Sequence, residues 1–373
     1  MVKKNIINPI TLLAGSAIGA GFLGLPFVFA KTGFLIGLIH LVILGFFVLF
    51  IQLALGEVSL RTKGNSHLAG YAEKYLGKKG KIFLLIVTSF YIFSALVAYL
   101  IASGESLSYI LFGSVKYALI FSFLFWVFVS YLTFIGLKAM KDFGRIGFFI
   151  IIFFLILIMI FYIPKIQFEN LSTIDSSNIF LPLGIVMFSF FSFSSIPSAR
   201  RLVLGKEKWL KKSIIIGALV PFVFYLIFSL IILGVFGDKV PQVATLALGR
   251  FFAILGLVAL FTSFLPLSIS IRDLFRFDFK IKRFNAWLIC TIVPFVIFLI
   301  IYFFNLISFV QILSIIGVVC GGIITITILI INLYSKKESL RTPEYVIPIN
   351  WTMIILISIV LVIGTLFQLG IFN

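Results

Sequence analysis

Between Leu12 and Ala30 the chain reads LLAGSAIGAGFLGLPFVFA, which sets Gly15, Gly19, Gly21 and Gly24 inside an otherwise apolar run. Glycine weakens a helix, but it allows unusual dihedrals and lets a ligand approach main-chain N–H and C=O groups closely. If the helix breaks here, the half-helix beginning after Gly21 turns its positive end toward the gap, a seat for a carboxylate. Carbonyls from Gly15 to Ile18 on the other side suit an ammonium group or a hard cation. One break then offers partners to both ends of a zwitterion without a charged side chain. A second use of the same residues is packing, because Gly15-x-x-x-Gly19 has the spacing of a helix-packing motif, as do Gly33 with Gly37 and Gly317 with Gly321. Packing is the expectation for the last two pairs, whereas Gly24-Leu25-Pro26 after the first cluster favours a break. Gly19 to Gly24 also satisfies G-x-G-x-x-G, but no βαβ unit or ribose-binding acid accompanies it, which excludes a dinucleotide fingerprint.

A second apolar stretch, FLPLGIVMFSFFSFSSIP from Phe180 to Pro197, is interrupted by small polar residues and proline. Farther on, ALFTSF places the hydroxyls of Thr262 and Ser263 about one turn after Ala259. Hydroxyl and carbonyl oxygens together can hold Na⁺; equally, Ser and Thr bond back to their own helix in membranes. Glu57 and Glu105 are acids near span ends. Glu57 precedes Arg61 by four residues and is expected to form a surface ion pair, while Glu105 is read as a rim residue or a cation or proton site. His40 reads as a hydrogen-bonded packing residue, with proton shuttling as the alternative. Tyr91 and Tyr99 lie near one face of one span. Catalysis finds no support: the sequence has no metal-ligand cluster, no paired acids at depth and no nucleophile–His arrangement. Cys290 and Cys320 fall in apolar runs and are expected to pack rather than pair.

The elements that must position these groups are spanning helices. Of 373 residues, 62% are hydrophobic and 11% charged, and phenylalanine holds 47 positions. Apolar runs near 20 residues recur throughout, and lipid offers their backbone no partner but itself. Eleven spans are expected at 6–30, 34–60, 82–110, 117–137, 146–163, 179–199, 213–236, 251–271, 286–304, 308–334 and 349–372. With the N-terminus in the cytoplasm, one face of this arrangement holds 25 basic residues and the other five. That asymmetry orients the chain, leaves the C-terminus outside and explains the net charge of +18 without a nucleic-acid partner. The first segment is expected to remain as a signal anchor.

Spans one and six are both broken, and their starts are five spans apart, so the second copy enters from the opposite side. Paired broken segments point to an inverted-repeat transporter and to its binding site. The division is residues 1–163, a second inverted repeat at 164–334, and a loop with an additional helix at 335–373.

AGSAIGAGFLGLPFVFAKTG resembles the first span of the amino acid/auxin permease group, which includes bacterial tryptophan/tyrosine permeases, within the amino acid–polyamine–organocation superfamily. ALVAYLIASGESL, from Ala95, is similar to that group's third span, and VMFSFFSFSSIP, from Val186, to its interrupted sixth. The resemblance implies an all-α LeuT-like 5+5 inverted repeat with one further helix. It implies that a substrate carboxylate meets amides around Ala20, Gly21 and Phe22. The amino group would meet carbonyls near Ala17 and around Phe188 and Ser189, with Phe188 closing over the substrate and Tyr99 in the family-like stretch. Sodium would take the carbonyls of Gly15, Ile18 and Ala259 and the hydroxyls of Thr262 and Ser263. Ser192 stands where relatives carry glycine, which bears on the geometry of the break. No lysine lies in span five, where some sodium-independent relatives place an ammonium group.

The expectation is a cell-membrane amino-acid transporter, not an enzyme, with no cofactor beyond a coupling Na⁺. Proton coupling, or a non-transporting amino-acid sensor on the same fold, are the alternatives. A channel fits poorly, since nothing resembles a selectivity filter or a charged pore ring.

Overall fold

Hydrocarbon leaves a peptide group no hydrogen-bond partner outside its own chain, so each long apolar run folds as a helix. The computed structural model describes residues 6–368 except 65, 176–177, 278 and 340, and does not describe the side chains of 137–145. Among the described residues ten helices, one of them the interrupted stretch Leu181–Leu202, are long and apolar enough to cross a bilayer, and a bent pair makes an eleventh if counted as one span. The bent pair is α1 (Ile7–Ala17) and α2 (Leu25–Thr32), linked by a 3-10 turn at Ala20–Leu23. There follow α3 (Phe34–Arg61), α4 (Leu68–Phe112), α5 (Ala118–Ile135), α6 (Leu137–Tyr162), α7 (Leu181–Phe190), α8 (Ile196–Leu202) and α9 (Trp209–Phe236). The chain continues through α10 (Arg250–Phe277), α11 (Arg283–Phe304), α12 (Phe309–Glu338) and α13 (Trp351–Gln368).

Two helices begin well before their apolar runs. α4 starts at Leu68 and bends at Gly77, whose φ of 74° and ψ of −175° suit only glycine. Its early turns carry Lys74, Lys78 and Lys79, whose stems can lie along apolar surface while their charges stay wet. α6 starts at Leu137, so the basic stretch Lys138 to Arg145 is helical rather than a loop. Lys3 and Lys4 lie outside the described residues, as do the side chains of Lys138 to Arg145.

The two interrupted spans sit at the centre of the bundle. α1 packs on α8 and α9, α7 on α3 and α12, and α4 closes the far side against α10 and α12. Gly317 and Gly321 let α12 approach α7: a methyl on the first would run into the Gly184 carbonyl and on the second into the Phe191 ring. Gly33 behaves differently from the packing expectation. Its φ of 92° turns the chain from α2 into α3 and a methyl there would run into the Thr173 carbonyl of a connection, whereas Gly37 packs against the Phe29 ring. α5, α11 and α13 turn outward large apolar side chains such as Phe128, Phe303 and Val360, as a helix bathed in lipid must.

The Glu57–Arg61 pair forms at 2.8 Å, but not at the surface: the Glu57 side chain is fully buried. A buried carboxylate has to fill its remaining lone pairs. Oε2 of Glu57 accepts from Asn332 Nδ2 at 3.1 Å and from the Ile347 amide at 2.8 Å. The segment between α12 and α13 is thereby tied across α3. Tyr345 adds a bond from its hydroxyl to the Leu53 carbonyl, and burial raises its pKa well above the usual value.

Candidate functional site

α1 ends where its backbone leaves the helical region. Ile18 takes ψ 71° and Gly19 is extended at φ −107° and ψ −152°, before the 3-10 turn begins. The break is therefore narrower than the glycine cluster, and Gly15 still lies within α1. Two kinds of free backbone group face it. The amides of Ala20 and Gly21 form no hydrogen bond among the described residues, and neither do the carbonyls of Gly15 and Ile18. The turn itself is pinned to α9, because the Phe22 ring meets those of Phe224 and Phe228 edge-on at 5.0 and 4.9 Å.

The second break spans Phe191 and Ser192, between α7 and a 3-10 turn that leads into α8. Ser192 has φ −126° and ψ 24°, a conformation open to any residue. The glycine of relatives is thus not required by this backbone. Gln52 of α3 stabilises the break instead: its Nε2 donates to the Phe190 carbonyl and to Ser192 Oγ, both at 3.0 Å.

The two breaks meet. A Cβ on Gly21 would lie 2.5 Å from Ser189 Oγ and 2.8 Å from Ser189 Cα, so the first break presses its backbone against the last turn of α7. The hydroxyl of Tyr225, from α9, lies 2.6 Å from the Ala17 carbonyl and 2.7 Å from that of Ser189. One fully buried side chain so bridges the two carbonyls expected to receive an ammonium group. The Ser189 hydroxyl is occupied locally, donating to the Ile185 carbonyl at 2.7 Å.

The hydroxyl pair of α10 divides. The Thr262 hydroxyl lies 2.9 and 3.1 Å from the carbonyls of Val258 and Ala259, sharing its one proton between them, and its methyl faces Gly147 of α6. Ser263 donates to the Ala259 carbonyl at 2.8 Å and stands against Gly19, where a Cβ would come within 2.6 Å of its Oγ. Both hydroxyls therefore bond back to their own helix, and Ser263 alone of the two abuts the first break.

Phe188 packs beside Tyr91, with ring centroids 5.7 Å apart, and Tyr91 also reaches Phe191 at 6.2 Å. Tyr99 is buried in α4, and its hydroxyl has no hydrogen-bond partner among the described residues. Glu105, half-buried farther along α4, forms no hydrogen bond or ion pair among the described residues. His40 bonds the Ile36 carbonyl through Nδ1 at 2.9 Å. Cys290 and Cys320 are buried free thiols.

Sequence reasoning missed Tyr225 and Gln52. A signal existed, since each is a polar group deep in an apolar run, where an unpaired donor is costly.

Residues 2–245 match the sequence profile of the tryptophan/tyrosine permease family. The chain is similar to the tyrosine-specific transport system 1 of Haemophilus influenzae, at 29% identity over 59% of this chain and 55% of that protein. It is similar also to the glutamine transporter 2 of Aliivibrio fischeri, 26% identical over 60% of this chain and 59% of that protein. Tyrosine-specific transport system 2 of H. influenzae is 27% identical over 64% of this chain and 60% of that relative. The chain thus spans between 55% and 60% of the length of these curated relatives. The profile match ends before α10, so Ala259, Thr262 and Ser263 lie beyond it.

Proposed function

Because the chain belongs to the tryptophan/tyrosine permease family, we propose that it is a multi-pass secondary transporter that carries amino acids across the cell membrane by alternating access. The observation that carries this reading is the meeting of two interrupted spans whose backbone offers both donors and acceptors at the junction. The Ala20 and Gly21 amides are donors for a carboxylate, and the Ala17 and Ser189 carbonyls are acceptors for an ammonium. The carboxylate end also gains from the positive start of the helical segment that follows. Phe188, Tyr91 and Phe191 form an aromatic wall beside the second break, which supports a substrate with an aromatic or large neutral side chain.

In this reading the fold is a LeuT-like 5+5 inverted repeat, α13 is the addition, and the basic connections face the cytoplasm. The broken spans, α3 and α9 pack on one another, which supports their rocking as a group against the remaining helices. Sodium is the proposed co-substrate, held by the carbonyls of Gly15, Ile18 and Ala259 and the hydroxyls of Thr262 and Ser263. The unpaired carbonyls of Gly15 and Ile18 and the approach of Ser263 to Gly19 support that site.

A second reading, proton coupling, is favoured by one observation: Glu105 is an acid within α4 without a partner among the described residues. The test is uptake of a labelled amino-acid panel into proteoliposomes under imposed Na⁺ or pH gradients. Accumulation driven by either gradient supports transport and names the coupling ion. Ligand-induced stabilisation without flux in either gradient replaces transport with a sensor.

A further inference from the structure

We propose that the Tyr225 hydroxyl is a built-in surrogate for the substrate's ammonium group, which an α-amino acid must displace, so that Tyr225 sets how tightly the substrate is held. The inference rests on the transport reading above and deepens it.

The geometry is the starting point. The phenolic oxygen sits 2.6 and 2.7 Å from two carbonyls that belong to different broken spans, and the whole side chain is buried. A phenol has one proton, so it can donate to only one of the two carbonyls at a time. The other is left with a lone pair facing a lone pair. An ammonium group in the same place has three protons and a full charge, and its bonds to both carbonyls are charge-assisted. The position is therefore built for a better donor than the one that fills it. Without substrate the hydroxyl gives the buried Ser189 carbonyl a donor, where a break inside a membrane cannot tolerate an unpaired group, while the Ala17 carbonyl also accepts from the Gly19 amide at 2.6 Å.

The Tyr225 ring meets Phe190 of α7 edge-on at 5.2 Å, so its movement is felt by the helix that leads into the second break. Occupancy of the ammonium position is thus coupled to the junction of the two spans.

The test measures binding and melting of the full chain in detergent, for wild type and Tyr225→Phe, using L-tyrosine, L-glutamine and the N-acetylated form of each as probes. Tyr225→Phe keeps the ring and its packing and removes only the competing hydroxyl. The unliganded variant is expected to melt below wild type. It is also expected to bind whichever free amino acid wild type binds roughly three- to tenfold more tightly, the scale of one lost hydrogen-bond competitor. The N-acetyl compounds, which have no ammonium, gain nothing. Unchanged or weaker binding by the variant, with wild type binding intact, overturns displacement and leaves transport standing. An equal gain for the N-acetyl compounds also overturns it. If wild type binds neither amino acid, the proposal falls together with these two substrates.

Discussion

Gly21 and Ser189, 168 positions apart in sequence, touch so closely that a methyl on Gly21 would fall 2.8 Å from the Ser189 Cα. A side chain can swing away from such an overlap, but a Cα cannot. Gly21→Ala must then push the first break away from α7, at a cost of about 1–3 kcal/mol for overpacking. The expected outcome is a chain that still inserts and folds, melts lower, and loses roughly tenfold or more in amino-acid uptake. Uptake at the wild-type rate, measured in proteoliposomes, would show that the contact between the breaks is not part of the working site.

How far the sequence foretells this contact is a matter of period and distance. The first break was legible because four glycines crowd ten positions and lead into Gly24-Leu25-Pro26, more than helix packing needs, and the second because serines and proline interrupt it. The spans were legible because lipid admits few alternatives to a helix. Helix ends were not: α4 and α6 run on through basic residues that read as loops, since a helix leaving the hydrocarbon needs no apolar run. Nor were Tyr225 and Gln52, whose partners lie 36 to 208 positions away and are fixed only when α3 and α9 dock. Ser192 posed the opposite problem. The departure from glycine looked like a constraint on the backbone, and its negative φ shows that none exists.

Gln52 and Ser192 give a stability prediction. Gln52→Leu leaves the Phe190 carbonyl without its α3 donor inside the bundle, a loss of about 1–3 kcal/mol. Ser192→Gly removes the other acceptor of the same amide and adds backbone freedom that φ −126° does not need, costing about 0.5–1.5 kcal/mol. Thermal or denaturant melting in detergent should rank wild type above Ser192→Gly and that above Gln52→Leu. A stabilised Ser192→Gly would mean that serine strains the break.

Glu57 governs the segment that follows α12. Its carboxylate balances Arg61, whose side chain is only 11% exposed, and receives the amide of Ile347. Glu57→Gln leaves the arginine without its counter-charge, and breaking a buried pair from one side costs about 3–5 kcal/mol. The variant should melt lower, and trypsin should cut sooner after Arg341, since the segment loses its tie to α3. Cleavage at the wild-type rate would assign the tie to Tyr345 and Lys336, which bond the Leu53 and Ile347 carbonyls.

Sodium coupling has its sharpest test at Ser263. In the proposed site the hydroxyl oxygens must offer lone pairs to the cation, and this they can do while still donating to the Ala259 carbonyl. Ser263 also stands against Gly19, so a cation bound there would link α10 to the first break and favour the conformation in which the Ala20 and Gly21 amides are in place. Ser263→Ala should therefore abolish stimulation of uptake by an inward Na⁺ gradient while leaving counterflow of labelled for unlabelled substrate measurable. Thr262→Ala should act more weakly, because its methyl faces Gly147 of α6. Wild-type uptake that ignores Na⁺, with both variants behaving like wild type, would remove the sodium site and direct attention to Glu105. In that case Glu105→Gln should abolish uptake driven by a pH gradient and spare counterflow.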